Sequence, residues 1–216
     1  MTRALAAAGL LLALAGCSLL PQRTPQRPPA QRPAPGADTA RCLAALDSSG
    51  ARFVALPDRI YAPGCQAMGA VRIDGLAGDR GTFQLSGLGP VACPLAQAFA
   101  GWARFGVDRA ARQMLGSGLA RIETMGSYAC RPVAGRGRMS AHARAEAIDI
   151  GGFVLEDGRR ISVKAGWNGA SDQERAFLGT VHASACKRFG TVLGPAYNAA
   201  HADHFHVELG NGSFCR

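Results

Sequence analysis

Four of the five histidines fall in two short stretches, Ser140-Ala-His-Ala-Arg-Ala-Glu-Ala-Ile-Asp149 and His201-Ala-Asp-His-Phe-His206. Side chains two residues apart on a strand share a face, so His204 is expected to point the same way as His206. Two imidazoles and one carboxylate form a common catalytic zinc site, with a fourth position left for water. Because zinc lowers the pKa of bound water to about 7, these stretches predict a Zn²⁺ hydrolytic centre.

Taken alone, the His204-x-His206 pair also fits a hydrogen-bonded surface pair, and the combination of His142 with Asp149 is weak evidence. The hypothesis of a metal site depends on the two occurring together with nearly all the histidines of the chain. The fifth histidine, His182, stands alone on a predicted helix and is assigned no role.

Around these stretches, hydrophobic spacing predicts an α+β domain over residues 41–216, a small, mostly antiparallel sheet with flanking helices. Helices are predicted over 42–48, over 94–105 continuing through 107–115, and over 171–189 with a Ser171–Glu174 capping box. Strands are predicted over 71–73, 82–85, 119–125, 145–150 and 205–209. Asp157-Gly158 predicts a hairpin between 153–155 and 161–163, whereas residues 53–63 are expected to be turn-rich.

Composition excludes several classes of protein. With 216 residues and 48% hydrophobic residues, the chain has enough apolar side chains for one folded domain. Its net charge is +9, yet no basic stripe interleaved with aromatic residues indicates nucleic-acid binding. The positive charge fits either a solvated surface or an anionic polymer or membrane as partner.

The N-terminal segment is predicted to be a secretory signal followed by an extended tether. Residues 1–16 have one basic residue, Arg3, and then an apolar stretch typical of a secretory signal. Leu14-Ala-Gly-Cys17 resembles the bacterial lipobox, which implies lipidation of Cys17 and a membrane anchor. In bacterial lipoproteins, an Asp after the lipidated Cys favours retention in the inner membrane. Because Ser18 stands at this position, the resemblance implies the outer membrane of the cell envelope, facing the periplasm. Residues 17–40 are rich in Pro and Arg, as expected of an extended tether.

The remaining cysteines indicate an exported, disulfide-stapled domain. Six are left after Cys17, an even number that predicts three disulfides with fifteen possible pairings. The six candidates are Cys42, Cys65, Cys93, Cys130, Cys186 and Cys215.

Further motifs carry a resemblance to a known family over residues 41–216. Ser127-Tyr-Ala-Cys-Arg131, Leu193-Gly-Pro195 and the two histidine stretches resemble the extensin-like C-terminal domain family. The histidine stretches also resemble the zinc D-alanyl-D-alanine carboxypeptidases and murein endopeptidases, which have the Hedgehog/DD-peptidase fold. This resemblance implies a zinc hydrolase that cleaves a peptide bond in peptidoglycan.

The resemblance also implies roles for individual residues. His142, Asp149 and His206 match the zinc ligands, and Arg131 matches an arginine that polarises the substrate carbonyl. Asp203 matches the general base and His204 a transition-state donor, with either able to be the base. Ser140 and His201 match residues that support the ligands. Two positions differ from the usual pattern, Ala145 in place of Gly and Phe205 in place of Trp.

Two other functions fit the same residues. A non-catalytic, zinc-containing lipoprotein that binds peptidoglycan would need the same fold and ligands, because fold does not determine function. A structural lipoprotein with a surface histidine cluster would need no metal. Neither the bond cleaved nor the oligomeric state can be read from the sequence.

Overall fold

The computed structural model describes residues 36–169, 171–210 and 212–216. The predicted signal segment, the lipidation site Cys17 and the tether up to residue 35 lie outside these ranges. No helix of the described ranges is long and apolar enough to cross a membrane.

The described chain forms five α-helices and twelve strands. The helices are α1 (Ala37–Ser48), α2 (Cys93–Trp102), α3 (Arg109–Leu115), α4 (Val163–Gly166) and α5 (Asp172–Cys186). The first six strands are β1 (Arg52–Ala55), β2 (Arg59–Ala62), β3 (Cys65–Ala67), β4 (Ala70–Ala77), β5 (Thr82–Ser86) and β6 (Val91–Ala92). The others are β7 (Leu119–Gly126), β8 (Ala147–Leu155), β9 (Arg160–Ser162), β10 (Thr191–Leu193), β11 (Phe205–Glu208) and β12 (Phe214–Cys215).

Ten of these strands form one mixed sheet, in the order β1-β4-β5-β7-β8-β11-β10-β12, with β6 paired to β4 and β9 to β8. Pairing is antiparallel except between β5 and β7 and between β10 and β12. Strands β2 and β3 form a separate hairpin. The centre of the large sheet is therefore β7, β8 and β11, and β8 lies between the other two.

The helices bury the apolar face of this sheet. Helix α2 continues through a π-helical stretch (Ala103–Asp108) into α3, and α5 packs against this helical run. Trp102 is fully buried between Phe153 and Phe189, and its indole N–H donates to the Val181 carbonyl oxygen. This packing holds α2 and α5 against β8, the strand that carries Asp149.

Three disulfides cross-link the domain, as predicted. They join Cys42 to Cys93, Cys65 to Cys130 and Cys186 to Cys215. Loss of such a bond from a small exported domain typically costs about 2–5 kcal/mol of stability.

Several elements predicted from the sequence are present in the structure. The α+β class, the helices around α2, α3 and α5, and the Asp157-Gly158 hairpin are confirmed. The Ser171 side chain caps α5, because its Oγ accepts from the Glu174 backbone N–H at 3.2 Å.

The expected small size of the sheet is wrong, because the sheet has ten strands. Its pairing is mostly antiparallel, as expected, with two parallel pairs that make the sheet mixed. Residues 53–63 contain β1 and β2 rather than turns alone, since Pro57 separates two short strands instead of preventing them. Helix α1 begins at Ala37, inside the range assigned to the tether. Strand β8 runs unbroken through Gly151-Gly152, because Gly152 pairs with Glu123 of β7 and with Ser162 of β9.

Candidate metal centre

Strand register brings Asp149 and His206 together. Strands β8 and β11 are antiparallel, and Asp149 lies directly opposite His206. Opposite residues of an antiparallel pair project to the same face. As a result, His206 Nδ1 lies 2.8 Å from Asp149 Oδ1, although 57 residues separate them in sequence.

A short turn supplies the third residue, His142. Residues Ala141–Arg144 form a 3₁₀ helix, whose N-cap Ser140 accepts from the His142 backbone N–H at 3.3 Å. The turn ends at Ala145, whose φ of 57° lies in the left-handed region. This conformation accounts for the glycine that the resembled family usually has at the position, because a left-handed backbone favours Gly.

The ring of His142 is oriented by its second nitrogen. Its Nδ1 lies 3.3 Å from the Ser127 carbonyl oxygen, which only accepts hydrogen bonds, so Nδ1 carries a proton. The other nitrogen, Nε2, then faces His206 Nδ1 at 3.2 Å and Asp149 Oδ2 at 3.1 Å.

These three side chains could hold a metal ion. One nitrogen from each of His142 and His206 and one oxygen of Asp149 all lie within 4.8 Å of one another. Both histidines are buried, and Asp149 is mostly buried. Zinc bonds of about 2.0–2.2 Å to nitrogen and oxygen put neighbouring ligands at such separations. The donor set thus fits a divalent ion that accepts nitrogen and carboxylate ligands.

Sequence reasoning missed a fourth residue of this group, Glu208. Its Oε1 lies 2.8 Å from His206 Nε2, on the side of the ring away from Asp149. Glu208 follows His206 by two residues on β11, so the spacing that paired His204 with His206 also gave a signal for it. A carboxylate on the outer nitrogen of a ligand histidine fixes ring orientation and tautomer.

The two carboxylates also determine the charge of His206. Burial would lower the pKa of this imidazole, but the hydrogen bonds with Asp149 and Glu208 outweigh burial and raise the pKa to about 9. For Asp149, burial raises the pKa, but the hydrogen bonds with His142 and His206 lower it by more, so the net pKa is well below the usual range. Without metal, the centre therefore carries an imidazolium beside a carboxylate.

Of the two candidate bases, His204 faces the centre more directly. Its Nε2 lies 3.6 Å from Asp149 Oδ1, while its Nδ1 lies 2.8 Å from Asp203 Oδ1. The side chain of Asp203 is 41% exposed and that of His204 is 11% exposed. Asp203 thus lies outside His204 and contacts the centre through it.

His201 completes the histidine cluster. Its ring lies 5.2 Å from that of His204 and 5.8 Å from that of His206, and its Nδ1 is 2.7 Å from Asn198 Oδ1. Burial and the neighbouring histidines lower the pKa of His201 to about 4, so the ring is neutral at neutral pH. Arg131 is exposed at the edge, where its charge contributes to this lowering.

A second group of candidate ligand atoms lies on the other side of β11, where His182 is next to Cys186 and Cys215. Both sulfurs belong to a disulfide, so this group offers no thiolate. The His182 ring instead packs against Trp167 and Phe205.

The fold and the site define a disulfide-stapled α+β domain with a buried centre of two histidines and one aspartate. The chain belongs to the family described as Extensin-like protein C-terminus, whose model matches residues 40–216. No curated protein and no solved structure shows significant similarity to it. Family membership was predicted from the motifs, whereas the peptidase resemblance remains a prediction.

Proposed function

We propose that this protein is a zinc-dependent hydrolase that cleaves a peptide bond in peptidoglycan. One observation carries the proposal. Two buried histidines turn one nitrogen each toward Asp149, and each holds its other nitrogen against a fixed acceptor. This is how proteins prepare histidines as metal ligands. We also propose that the domain shares the Hedgehog/DD-peptidase fold.

In this proposal His142 Nε2, Asp149 and His206 Nδ1 hold Zn²⁺. When bound there, zinc supplies a Lewis acid and a water of lowered pKa. The choice of zinc rests on the donor set, since two imidazoles and one carboxylate are a known catalytic zinc combination.

The remaining residues are assigned to proton transfer and to stabilisation of negative charge. His204 Nε2 lies beside the centre and takes the proton from the attacking water, then donates it to the leaving amine. Asp203 accepts from His204 Nδ1–H and so keeps Nε2 free to act as the base. Arg131 stabilises the negative charge that develops on the substrate carbonyl oxygen. This assignment makes Asp203 the positioning residue and His204 the base.

The proposed substrate follows from the location implied by the N-terminus. A signal segment and lipidated Cys17 would place the domain in the cell envelope, facing the periplasm, where peptidoglycan is abundant. The net charge of +9 suits an anionic peptide there.

The test uses the full chain, purified with its disulfides formed, and measures bound zinc and the release of peptides from peptidoglycan. We expect one zinc per chain and new cleavage products, both lost in Asp149→Asn and His142→Ala. Asp47→Asn, an exposed aspartate of α1, is the matched control and should keep both. One zinc with no product from any peptidoglycan fraction would instead support the non-catalytic binding protein.

A further inference from the structure

A second feature adjoins the candidate centre, an arginine-rich hairpin of residues 131–139. Its two arms pair through an isolated bridge between Pro132 and Met139, and the Val133 backbone N–H donates to the Arg138 carbonyl oxygen at 3.0 Å. At its base, the Ser140 backbone N–H donates to the Arg131 carbonyl oxygen at 3.1 Å. The hairpin is thus an ordered turn with backbone hydrogen bonds along both arms.

Both ends of the arginine hairpin are fixed to the residues that hold His142. Before it, the Ala129 backbone N–H donates to the His142 carbonyl oxygen at 3.1 Å, and Cys130 is tied to Cys65. After it, Ser140 caps the turn that carries His142. Chain connectivity therefore places the hairpin at the rim of the candidate metal centre.

The charges of this hairpin have one sign. It carries Arg131, Arg136 and Arg138, all exposed, and no acidic residue. Within the described ranges, none of these three guanidinium groups makes a hydrogen bond or an ion pair. The next arginine along the chain, Arg144, is paired with Glu146 at 2.7 Å.

A ligand that lies across the candidate metal centre would meet this rim, because hydrogen bonds fix the hairpin on both sides to the turn that carries His142.

We propose that the arginine hairpin binds the carboxylate groups of an anionic peptide while the candidate metal centre holds the peptide bond to be cleaved. Guanidinium groups suit this role because their N–H donors match a carboxylate in two-point geometry. The inference rests on the proposed function for the identity of the peptide, but binding by the hairpin does not require catalysis.

The test is a binding titration of the zinc-loaded full chain with muropeptides released from peptidoglycan. The second probe is the same muropeptides with their carboxylates converted to methylamides. The variant Arg136→Gln/Arg138→Gln leaves Arg131 in place, because Arg131 already has a role in the proposed reaction. The control Arg80→Gln/Arg188→Gln removes two other exposed arginines and the same amount of charge.

We expect the hairpin variant to bind the acidic muropeptides about five- to tenfold more weakly, since each exposed charge pair contributes up to about fivefold. Its affinity for the methylamide probe should stay within about twofold of the unmodified chain, and the control should match the unmodified chain with both probes. Equal weakening toward both probes would overturn the inference. So would an equal loss in the control, or no binding of muropeptides by the unmodified chain.

The two proposals fail in different ways. Charge-dependent binding without cleavage would leave the hairpin assignment intact and contradict the hydrolase. Cleavage with unchanged binding in the hairpin variant would do the reverse. Zinc content, measured in every variant, should not depend on Arg136 or Arg138.

Discussion

Asp108 and Asp149 are both carboxylates held inside the domain, but their partners differ. Asp108 is fully buried, and its two oxygens accept from the Leu119 backbone N–H at 2.9 Å and from Arg112 Nε at 3.2 Å. Within the described ranges, the side-chain polar partners of the Asp149 carboxylate are histidine rings, those of His142, His204 and His206. An arginine stays protonated at any ordinary pH, whereas a histidine can lose its proton and offer a lone pair. The first arrangement ties α3 to β7, and the second can exchange a proton for a metal.

The largest expected effect comes from neutralising each carboxylate in turn. Asp149→Asn should lower zinc affinity by more than the roughly 100-fold that loss of an outer partner costs, because it removes a ligand. Asp108→Asn should lower the free energy of unfolding by about 2–3 kcal/mol, because it weakens two buried hydrogen bonds. Zinc titration and urea unfolding of both variants measure the two effects.

Each variant is the control for the other. Asp108→Asn should keep zinc affinity, and Asp149→Asn should keep a cooperative unfolding transition. If both substitutions lowered stability equally and neither changed zinc affinity, the distinction between the two carboxylates would fail.

The two outer carboxylates, Glu208 and Glu156, should show a smaller difference of the same kind. Glu208 accepts from His206, and Glu156 accepts from Arg112 at 2.7 Å. We expect Glu208→Gln to weaken zinc binding about tenfold, because outer partners of ligand histidines typically contribute 10–100-fold. Glu156→Gln should leave zinc binding unchanged and cost less than about 1 kcal/mol of stability, as for other partly exposed ion pairs. Competition with a chelating dye measures the first and thermal unfolding the second.

The two regions should also differ in their response to pH. Because the pKa of His206 is raised from 6.5 to about 9 in the metal-free domain, its protonated form stabilises the fold. This contribution is complete below pH 6.5 and is lost as the pH rises through about 9. Stability should fall over that range by at most about 1.4 kcal/mol per pH unit for one proton.

Urea unfolding of the metal-free protein at pH 6.5, 7.5 and 8.5 measures this decline. His206→Gln should lack it, while Asp108→Asn should retain it, because Arg112 stays protonated throughout this range. A decline of equal size in His206→Gln would assign the effect to other groups.

Features set by residues close together in the chain were easier to predict than features set by residues far apart in sequence. The candidate ligands His142, Asp149 and His206 were predicted because two stretches concentrate their residue types and the family resemblance selected these three. Glu208 was missed although it has the same two-residue spacing, because an isolated acid on a strand has many uses.

Long-range pairing could not be read from the sequence. The parallel contact between β5 and β7 depends on packing across more than thirty residues, and short strands such as β10 and β12 carry too few residues for a periodic signal. Which base candidate faces the centre also needed coordinates, because Asp203 and His204 are adjacent in the chain.

The smallest expected effect is a difference in stability between glycine substitutions at two buried alanines near His142. Ala143 lies in the right-handed turn, and Ala145 has the left-handed φ of 57°, the only positive φ outside glycine in the described ranges. Ala143→Gly should cost about 1 kcal/mol, from a lost methyl and a more flexible unfolded chain. In Ala145→Gly, release of about 1–2 kcal/mol of backbone strain should offset this cost. Thermal unfolding of the pair measures the difference, and equal losses would contradict it.

The register between β8 and β11 has a consequence for the order of assembly in the cell. Pairing between β8 and β11 places Asp149 opposite His206, so the backbone fold alone brings the two side chains together. In this respect the domain differs from a zinc finger, which is unfolded without its ion. Under the proposed function, such a domain would be exported as a metal-free chain, oxidised and folded, and would take up zinc as the final step of maturation.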